Sequence, residues 1–446
     1  MISIEEKRTL WLKKIDASRD LFEKDFPENI EKYRKGDAAL RLVDKNGAPL
    51  KGKKVRIEQT RHDFRYGANL FMLDGFGTPE ENALYRDTFY RYFNLATVPF
   101  YWDALEPTEG KPRFGADSEK IYRRPAPDLC TEYCKEKGID AKLHCLVYDK
   151  FIPDWLPKND EKAMEKAYEK HIREIAERYA GKLFEFEVIN ESLCDFGWTA
   201  QSVISGKRDV IEWAFALSRK YLPNDTLVIN EGRTFFEKYS PYHHPYFLQI
   251  EKALGKGATI DKIGLQHHIF TGNHAHTEEQ YDDAVRTTAE RADPTRNYGM
   301  LKAFSEFGLP LEITEVTIPT LGDTPEDEEL QAEILEKMFT VWFGSPMVDT
   351  VVYWNTVDGY AYQSSKTNEN NCRGGLFHKD LSPKKSALVL KKLFNETWRT
   401  SLEGTTDDNG ELRFRGFYGD YSASLDGQTQ TFGVHKNETN EKTIII

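Results

Sequence analysis

From Phe64 to Thr356 short apolar runs recur at an interval of about 40 residues, each followed by a longer amphipathic stretch. The runs occupy residues 64–70, 95–102, 140–148, 184–191, 226–231, 263–269, 309–316 and 350–356. That interval leaves room in every repeat for a strand, a loop and a helix. The stretch 161–180 shows the helical part plainly: Met164, Tyr168, Ile172, Ile175 and Tyr179 share one face, and Gly181 ends the pattern. Eight such units in succession predict an α/β fold, a (β/α)8 TIM barrel spanning residues 63–395.

The flanks have other periods. Residues 1–36 alternate charge with Ile4, Leu10, Leu12, Ile15, Leu21 and Phe22, which predicts a surface helix carrying no chemistry. Within 37–62, residues 38–43 and 54–59 flank the turn signal Asp44-Lys45-Asn46-Gly47 with Pro49 and read as two strands of an incomplete sheet. Within 396–446, residues 411–417, 421–425 and 429–434 alternate around Asn409-Gly410 and Asp426-Gly427, both hairpin signals. Each set of strands lacks partners that the other can supply. The expectation is one small β-sandwich, built from both ends of the chain beside the barrel.

Of 446 residues 39% are hydrophobic, enough for a large core, and the formal net charge is −12. That charge argues against nucleic acid or an anionic membrane surface as partner and for a neutral or cationic ligand. No stretch approaches the roughly 18 to 20 uncharged residues of a membrane span. Glu5, Glu6, Lys7 and Arg8 stand where a signal peptide needs an apolar core, so the expected location is cytoplasmic, or outside the cell if a leader was removed. Cys130, Cys134, Cys145, Cys194 and Cys372 are odd in number and sparse, which fits reduced thiols. His243-His244 and His274-x-His276 lie in polar loops without spaced partners and read as exposed histidines. Neither a metal nor an organic cofactor is expected. Oligomeric state is not legible.

Catalytic groups of such barrels project from the C-terminal ends of the strands. Run four ends Val188-Ile189-Asn190-Glu191 and run seven contains Ile313-Thr314-Glu315, each with a glutamate at the strand mouth. Two carboxyls facing across a pocket are what glycoside hydrolysis requires. These two motifs resemble the acid/base and nucleophile strands of the glycoside hydrolase family 10 xylanases. Gln266-His267-His268 resembles that family's Gln-Gly-His run, and Trp354-Asn355-Thr356-Val357-Asp358 its Trp-Gly-x-x-Asp run. His144-Cys145-Leu146-Val147-Tyr148, with Pro153-Asp154-Trp155, keeps the spacing of His-Thr-Leu-Val-Trp-His and the downstream Pro-x-Trp.

The resemblance implies a retaining, endo-1,4-β-xylanase-like glycoside hydrolase acting on a carbohydrate substrate: xylan, a xylo-oligosaccharide or an aryl xyloside. Glu315 would attack the anomeric carbon and Glu191 would serve as acid and then base, the carboxyls about 5 to 5.5 Å apart. Asn190 would bond the sugar's 2-hydroxyl. Gln266 and His268 would orient Glu315 and that hydroxyl, while His267 packs outside the barrel. Trp354, with Trp155 and Tyr362 nearby, would offer apolar faces. Departures concern the glycone side. Thr97-Val98-Pro99-Phe100-Tyr101-Trp102 stands where the family has Glu-Asn-Glu-Met-Lys-Trp, and Asp149 stands where it has a pocket His. Tyr101 and Asp149 are therefore the expected altered sugar contacts. Alternatives are the same chemistry on another β-glycoside, a carbohydrate-binding pseudo-hydrolase, or a scaffold presenting the sandwich.

Overall fold

The computed structural model describes residues 2–193, 200–232, 234–236 and 239–446. Strands β1 (Lys35–Val43) and β2 (Lys54–His62) precede the eight barrel strands, which correspond one for one to the apolar runs. These are β3 (Arg65–Asn69), β4 (Leu95–Pro99), β5 (Asp140–His144), β6 (Glu185–Asn190), β7 (Leu227–Glu231), β8 (Lys262–His268), β9 (Leu311–Thr317) and β10 (Val348–Tyr353). β11 (Ser401–Thr405), β12 (Glu411–Phe417), β13 (Gly419–Leu425), β14 (Gln428–Val434) and β15 (Glu441–Ile445) follow.

Strands β3 to β10 close into a parallel barrel in sequence order, β10 pairing with β3. Its strands are covered on both faces, so β4, β6 and β9 are buried at every position and read as runs rather than alternations. Several of the helices between them start where side chains cap the free N–H groups. Thr78 with Glu81, and Thr324 with Asp327, form capping boxes, and Asp160 accepts from the Ala163 N–H. The helix Pro127–Lys137 stops at Gly138, whose φ of 66° suits glycine.

The barrel interior holds a layer of charge beneath the site. Lys142 of β5 forms an ion pair with Glu312, diametrically opposite on β9, and lies 3.4 Å from Glu185 and 3.5 Å from Glu187. Lys262 of β8 lies 2.9 Å from Glu185 and 3.0 Å from Asp349. The buried charges thus occur as opposed pairs, the condition under which charge persists in an interior.

Two sheets lie outside the barrel, in the orders β12-β1-β15 and β11-β2-β13-β14. Ala38, Leu40 and Leu42 of β1 meet Val55 and Ile57 of β2, Tyr421, Ala423 and Leu425 of β13, and Val434 in one core, so the sheets form a sandwich drawn from both chain ends. β11 and β15 are strands without a clear sequence signal; Ser401–Thr405 and Glu441–Ile445 are short edge strands with mixed polar faces. Asp426-Gly427, at φ 48° and 83°, makes the tight β13–β14 hairpin. Asn409-Gly410 does not join paired strands, because β11 and β12 lie in different sheets; the Asp407 carboxylate closes this turn on the N–H groups of Asn409 and Glu411, both at 2.8 Å.

The N-terminal segment is a helix Ile4–Ala17, a π-turn and a helix Phe26–Tyr33. It is more than surface cover. Trp11 is fully buried and its indole N–H donates to the Val285 carbonyl at 3.0 Å, while Phe26 is buried against Tyr298. Its buried stripe runs through Trp11, Leu12 and Ile15, so the helix seals the barrel's outer ring. Trp11→Ala should cost about 3–5 kcal/mol, read as a lower Tm in calorimetry; a shift within error would return the helix to the surface. Cys130, Cys134, Cys145 and Cys372 are buried free thiols, and Cys194 lies outside the described residues. No helix among the described residues is long and apolar enough to cross a membrane.

Candidate active site

A cavity of about 870 Å³ opens at the C-terminal ends of the barrel strands. Glu191, Glu315, Asn190, Gln266, His268, Trp354, Tyr101 and Tyr362 line it, together with His144, Tyr148 and Glu231. Two backbone irregularities aim the carboxylates. Between Glu187 and Ile189, β6 slips one residue against β7, so Glu187 and Asn190 both face inward. Between Glu312 and Glu315, β9 slips likewise against β8, so Glu312 reaches Lys142 below and Glu315 reaches the cavity above. Glu191 then follows β6 at φ 50°, a left-handed conformation held by its N–H on the Asn230 carbonyl at 3.0 Å.

Each carboxylate is bracketed by donors. Asn230 Nδ2 lies 3.0 Å from Glu315 Oε1, and His268 Nε2 lies 3.0 Å from Glu315 Oε2. Burial takes the His268 imidazole down to about 4, so it is neutral. Its Nε2–H then donates to an ionised Glu315, and its Nδ1 accepts from the Thr317 hydroxyl at 2.9 Å. Burial also raises the Glu315 carboxyl to about 8; the His144 charge and the Asn230 bond oppose that rise, while Glu187 and Glu191 add to it. Glu191 accepts from the Tyr148 hydroxyl and, at 3.4 Å, from Gln266 Nε2. Asn190 Oδ1 accepts from Asn230 at 3.0 Å and Gln266 at 3.1 Å, which commits its oxygen and leaves its NH₂ as the half of the amide for a substrate hydroxyl.

Tyr101 and Trp354 pack with Phe71 into an aromatic wall, ring centroids 5.8 and 5.0 Å from Phe71. The Tyr101 hydroxyl meets His144 Nε2 at 2.9 Å, and His144 Nδ1 meets Glu187 Oε1 at 2.8 Å. Burial pulls the His144 imidazolium down, but the charges of Glu187 and Glu315 outweigh it and the net displacement is upward. His267 faces away from the cavity, among Phe235, Phe236 and Trp342, with Nε2 3.1 Å from the Arg291 carbonyl.

Two expected contacts are elsewhere. Asp149 is buried outside the cavity, where it accepts from the Ser202 N–H at 2.7 Å and the Ser205 hydroxyl at 2.6 Å, and also from the Gln201 N–H and the Ser202 hydroxyl. It ties the loop after β6 to the loop after β5, and the polar groups from this motif that reach the cavity are His144 and the Tyr148 hydroxyl. Asp149→Ala, which strands those donors, should lower stability by about 2–4 kcal/mol; an unchanged denaturation midpoint would contradict that anchoring role. Trp155 is not at the cavity either: its indole N–H donates to the Glu106 carbonyl at 2.9 Å, and its ring meets Trp102 in a separate groove.

Several participants lack a motif. Glu231 ends β7 and faces the cavity, where burial raises its carboxyl to about 8 although the N–H groups of Leu193 and Gly232, each at 2.8 Å, pull it back. Strand-end position alone picks out Glu231 and its neighbour Asn230. His244, read as exposed, is buried and caps the helix Pro245–Gly255, accepting on Nδ1 from the Tyr246 N–H at 3.1 Å; His274 lines the cavity. His144, Cys145 and Glu187 bring three possible metal ligands together. Both His144 nitrogens are already bonded and burial holds the Cys145 thiol well up, protonated, so the cluster reads as a hydrogen-bonded core.

The sequence model for glycosyl hydrolase family 10 matches residues 77–392. "Endo-1,4-beta-xylanase 1" of Arabidopsis thaliana is 24% identical over 94% of this chain and 40% of its own length. "Anti-sigma-I factor RsgI6" of Acetivibrio thermocellus is 24% identical over 89% of this chain and 46% of its own length. This chain therefore spans less than half the length of either relative. The structure of xylanase 10B from Thermotoga petrophila in complex with xylobiose superposes with a TM-score of 0.56 at 21% identity, covering 75% of this chain and 95% of that one, a likeness of fold.

Proposed function

The chain belongs to glycosyl hydrolase family 10, and from that premise we propose that it is a retaining glycoside hydrolase cleaving β-xylosidic or closely related bonds by double displacement. The observation that carries this reading is that Glu191 and Glu315 enter one cavity from separate strands, each held by donors. Glu191 protonates the leaving oxygen while Glu315 Oε attacks the anomeric carbon; the glycosidic bond breaks and a covalent glycosyl ester forms. Glu191, now ionised, takes a proton from water, which displaces Glu315 with net retention. Asn230 and His268 fix the attacking carboxylate, and Tyr148 and Gln266 fix the acid. The Asn190 amide bonds the 2-hydroxyl, a contact that tightens as positive charge develops.

Support for a sugar ligand comes from the aromatic wall of Tyr101, Phe71 and Trp354 and from the xylobiose held by the relative of like fold. A panel of nitrophenyl β-glycosides with anomer-resolved product analysis tests the proposal. Release of the β-anomer first is expected; the α-anomer first would overturn retention, and binding without turnover would leave a carbohydrate-binding module.

Among neutral substrates, the glycone side gives long chains little advantage over short ones. Thr97 and Val98, which occupy the positions of the family's Glu and Asn, are sealed within the barrel and do not line the cavity. Remote binding energy is what lowers the barrier for long chains. From an aryl β-xyloside to unsubstituted xylotriose or longer, kcat/KM should rise less than about tenfold, or 1.4 kcal/mol. A rise of several orders of magnitude would show the lost contacts rebuilt by other residues.

A further inference from the structure

Arg124 enters the cavity from a segment outside every motif compared above. Its guanidinium carbon stacks 3.9 Å over the Tyr101 ring, 5.4 Å from the centre of Phe151 and 5.5 Å from that of Phe71. The segment is held rigidly. Arg123 adopts φ 59° and donates to Asn355 Oδ1 at 2.8 Å and to the Tyr360 carbonyl, while Arg113 donates to the Ala104 carbonyl at 2.7 Å and to that of Glu119. Arg124 itself spends one N–H on the Arg123 carbonyl at 3.0 Å, and no ion pair joins it to a carboxylate among the described residues. Lys150 extends the same wall, its ammonium 5.3 Å from the Phe151 ring and 5.5 Å from the Tyr362 ring.

Two cations therefore flank one aromatic ring, Phe151, which packs on Tyr101, the residue at the position that the family resemblance assigns to the glycone side, in a chain whose net charge is −12. The carboxylate whose charge reaches Arg124 is Asp103, which lies outside the cavity and forms no ion pair with it; the carboxylates of the cavity are engaged otherwise. Glu191 and Glu315 are committed to the reaction, Glu231 to backbone donors, and Glu369 accepts from Asn355 Nδ2 at 2.6 Å, on the side that faces Arg123. A guanidinium flat on an aromatic ring keeps its N–H edge for a planar acceptor, and a carboxylate fits that edge in a bidentate pair where a single hydroxyl cannot.

We propose that Arg124, with Lys150 beside it, receives the carboxylate of an acidic sugar, so that the substrate is a β-glycoside bearing a uronic acid on the glycone side. The proposal rests on the glycosidase reading above and narrows its substrate class. It also reverses the expectation, drawn from net charge, of a neutral or cationic ligand.

The test compares kcat/KM for an aryl β-glucuronide and for a xylo-oligosaccharide with a glucuronic acid branch against the matching neutral compounds. One acidic member should exceed its neutral counterpart by about tenfold or more, as for a charge-assisted bidentate contact, and the advantage should shrink at high salt. Which member wins tells whether the carboxylate sits on the sugar being cut or on a branch. In Arg124→Gln the acidic-to-neutral ratio should fall toward one, and Arg124→Lys should recover part of it. Neutral substrates cleaved equally well or better by the wild type would overturn the inference and leave the glycosidase reading intact. Calorimetry on Glu315→Gln separates the other case: tighter binding of the acidic oligosaccharide with no turnover of any glycoside by the wild type would keep the carboxylate site and sink the hydrolase. Absence of both turnover and acidic preference would sink both.

Discussion

Glu315→Ala should fold and lose at least about 10⁴-fold in turnover, some 5.4 kcal/mol of transition-state stabilisation. In the proposed mechanism this carboxylate is the attacking group, and its neighbours among the described residues are donors rather than substitutes for it: His268 and Asn230 both donate toward its two oxygens from about the same distance, 3.0 Å. Azide, small enough for the space left, should restore activity with an inverted glycosyl azide as product. Full turnover without added nucleophile would end the assignment. The same residue sets a pH dependence. Its carboxyl is pushed from 4.5 to about 8 by burial, and the proposed attack requires it ionised. With a substrate whose leaving group needs no acid, kcat/KM should climb as pH rises toward about 8 instead of levelling near 4.5. Asn230→Ala removes a bond that favours the ionised form and should move that limb higher. Stability runs the opposite way. Between 4.5 and 8 the folded protein keeps protons on Glu315 and Glu231 that the unfolded chain has released, so stability falls as pH rises through that window.

Glu191→Ala should divide substrates by leaving group. Poor leaving groups need the proton and should slow by about 10³-fold or more, whereas dinitrophenyl glycosides should form the glycosyl-enzyme at a near-normal rate and then accumulate it, since no base activates water. A burst of dinitrophenol followed by a slow steady state is the expected trace. Equal losses for good and poor leaving groups would assign the acid to another residue, with Glu231 the next carboxyl at the rim. Tyr148 serves as an internal control: its hydroxyl donates to Glu191, so Tyr148→Phe should reduce the slow step for poor leaving groups more than for good ones.

Much of this site is legible in the primary structure because barrel chemistry sits where strands end. The spacing of the eight runs determines the number of βα units, and the last residues of runs four, six, seven and eight include Asn190, Glu191, Gln266, His268, Glu315 and Trp354, all of which line the cavity. Asp149 and Trp155 lie away from the cavity for one reason: a residue in the loop after a strand can turn inward or back into the scaffold, and hydrogen bonds to Ser202, Ser205 and the Glu106 carbonyl decide it. Trp11 shows the same limit on a helix, where a shift of one residue in the buried stripe is invisible when flanking positions are also apolar.

By itself, the order of residues determined that eight parallel strands would form, that both chain ends would yield strands in need of each other, and that two glutamates would stand at strand mouths. Its information is local, a matter of period and of residue type at a period's end. Only the tertiary structure decided which face each carboxylate takes. Perfect alternation places Glu187 and Asn190, or Glu312 and Glu315, on opposite faces of a strand, and the slips of β6 and β9 against their neighbours bring both members of each pair inside. It also decided that Arg124, distant from the strand ends in sequence, lies on Tyr101. A bulge is set by the register of the neighbouring strand, and a stacking contact by the path of a loop anchored elsewhere, and neither has a period to be read along the chain.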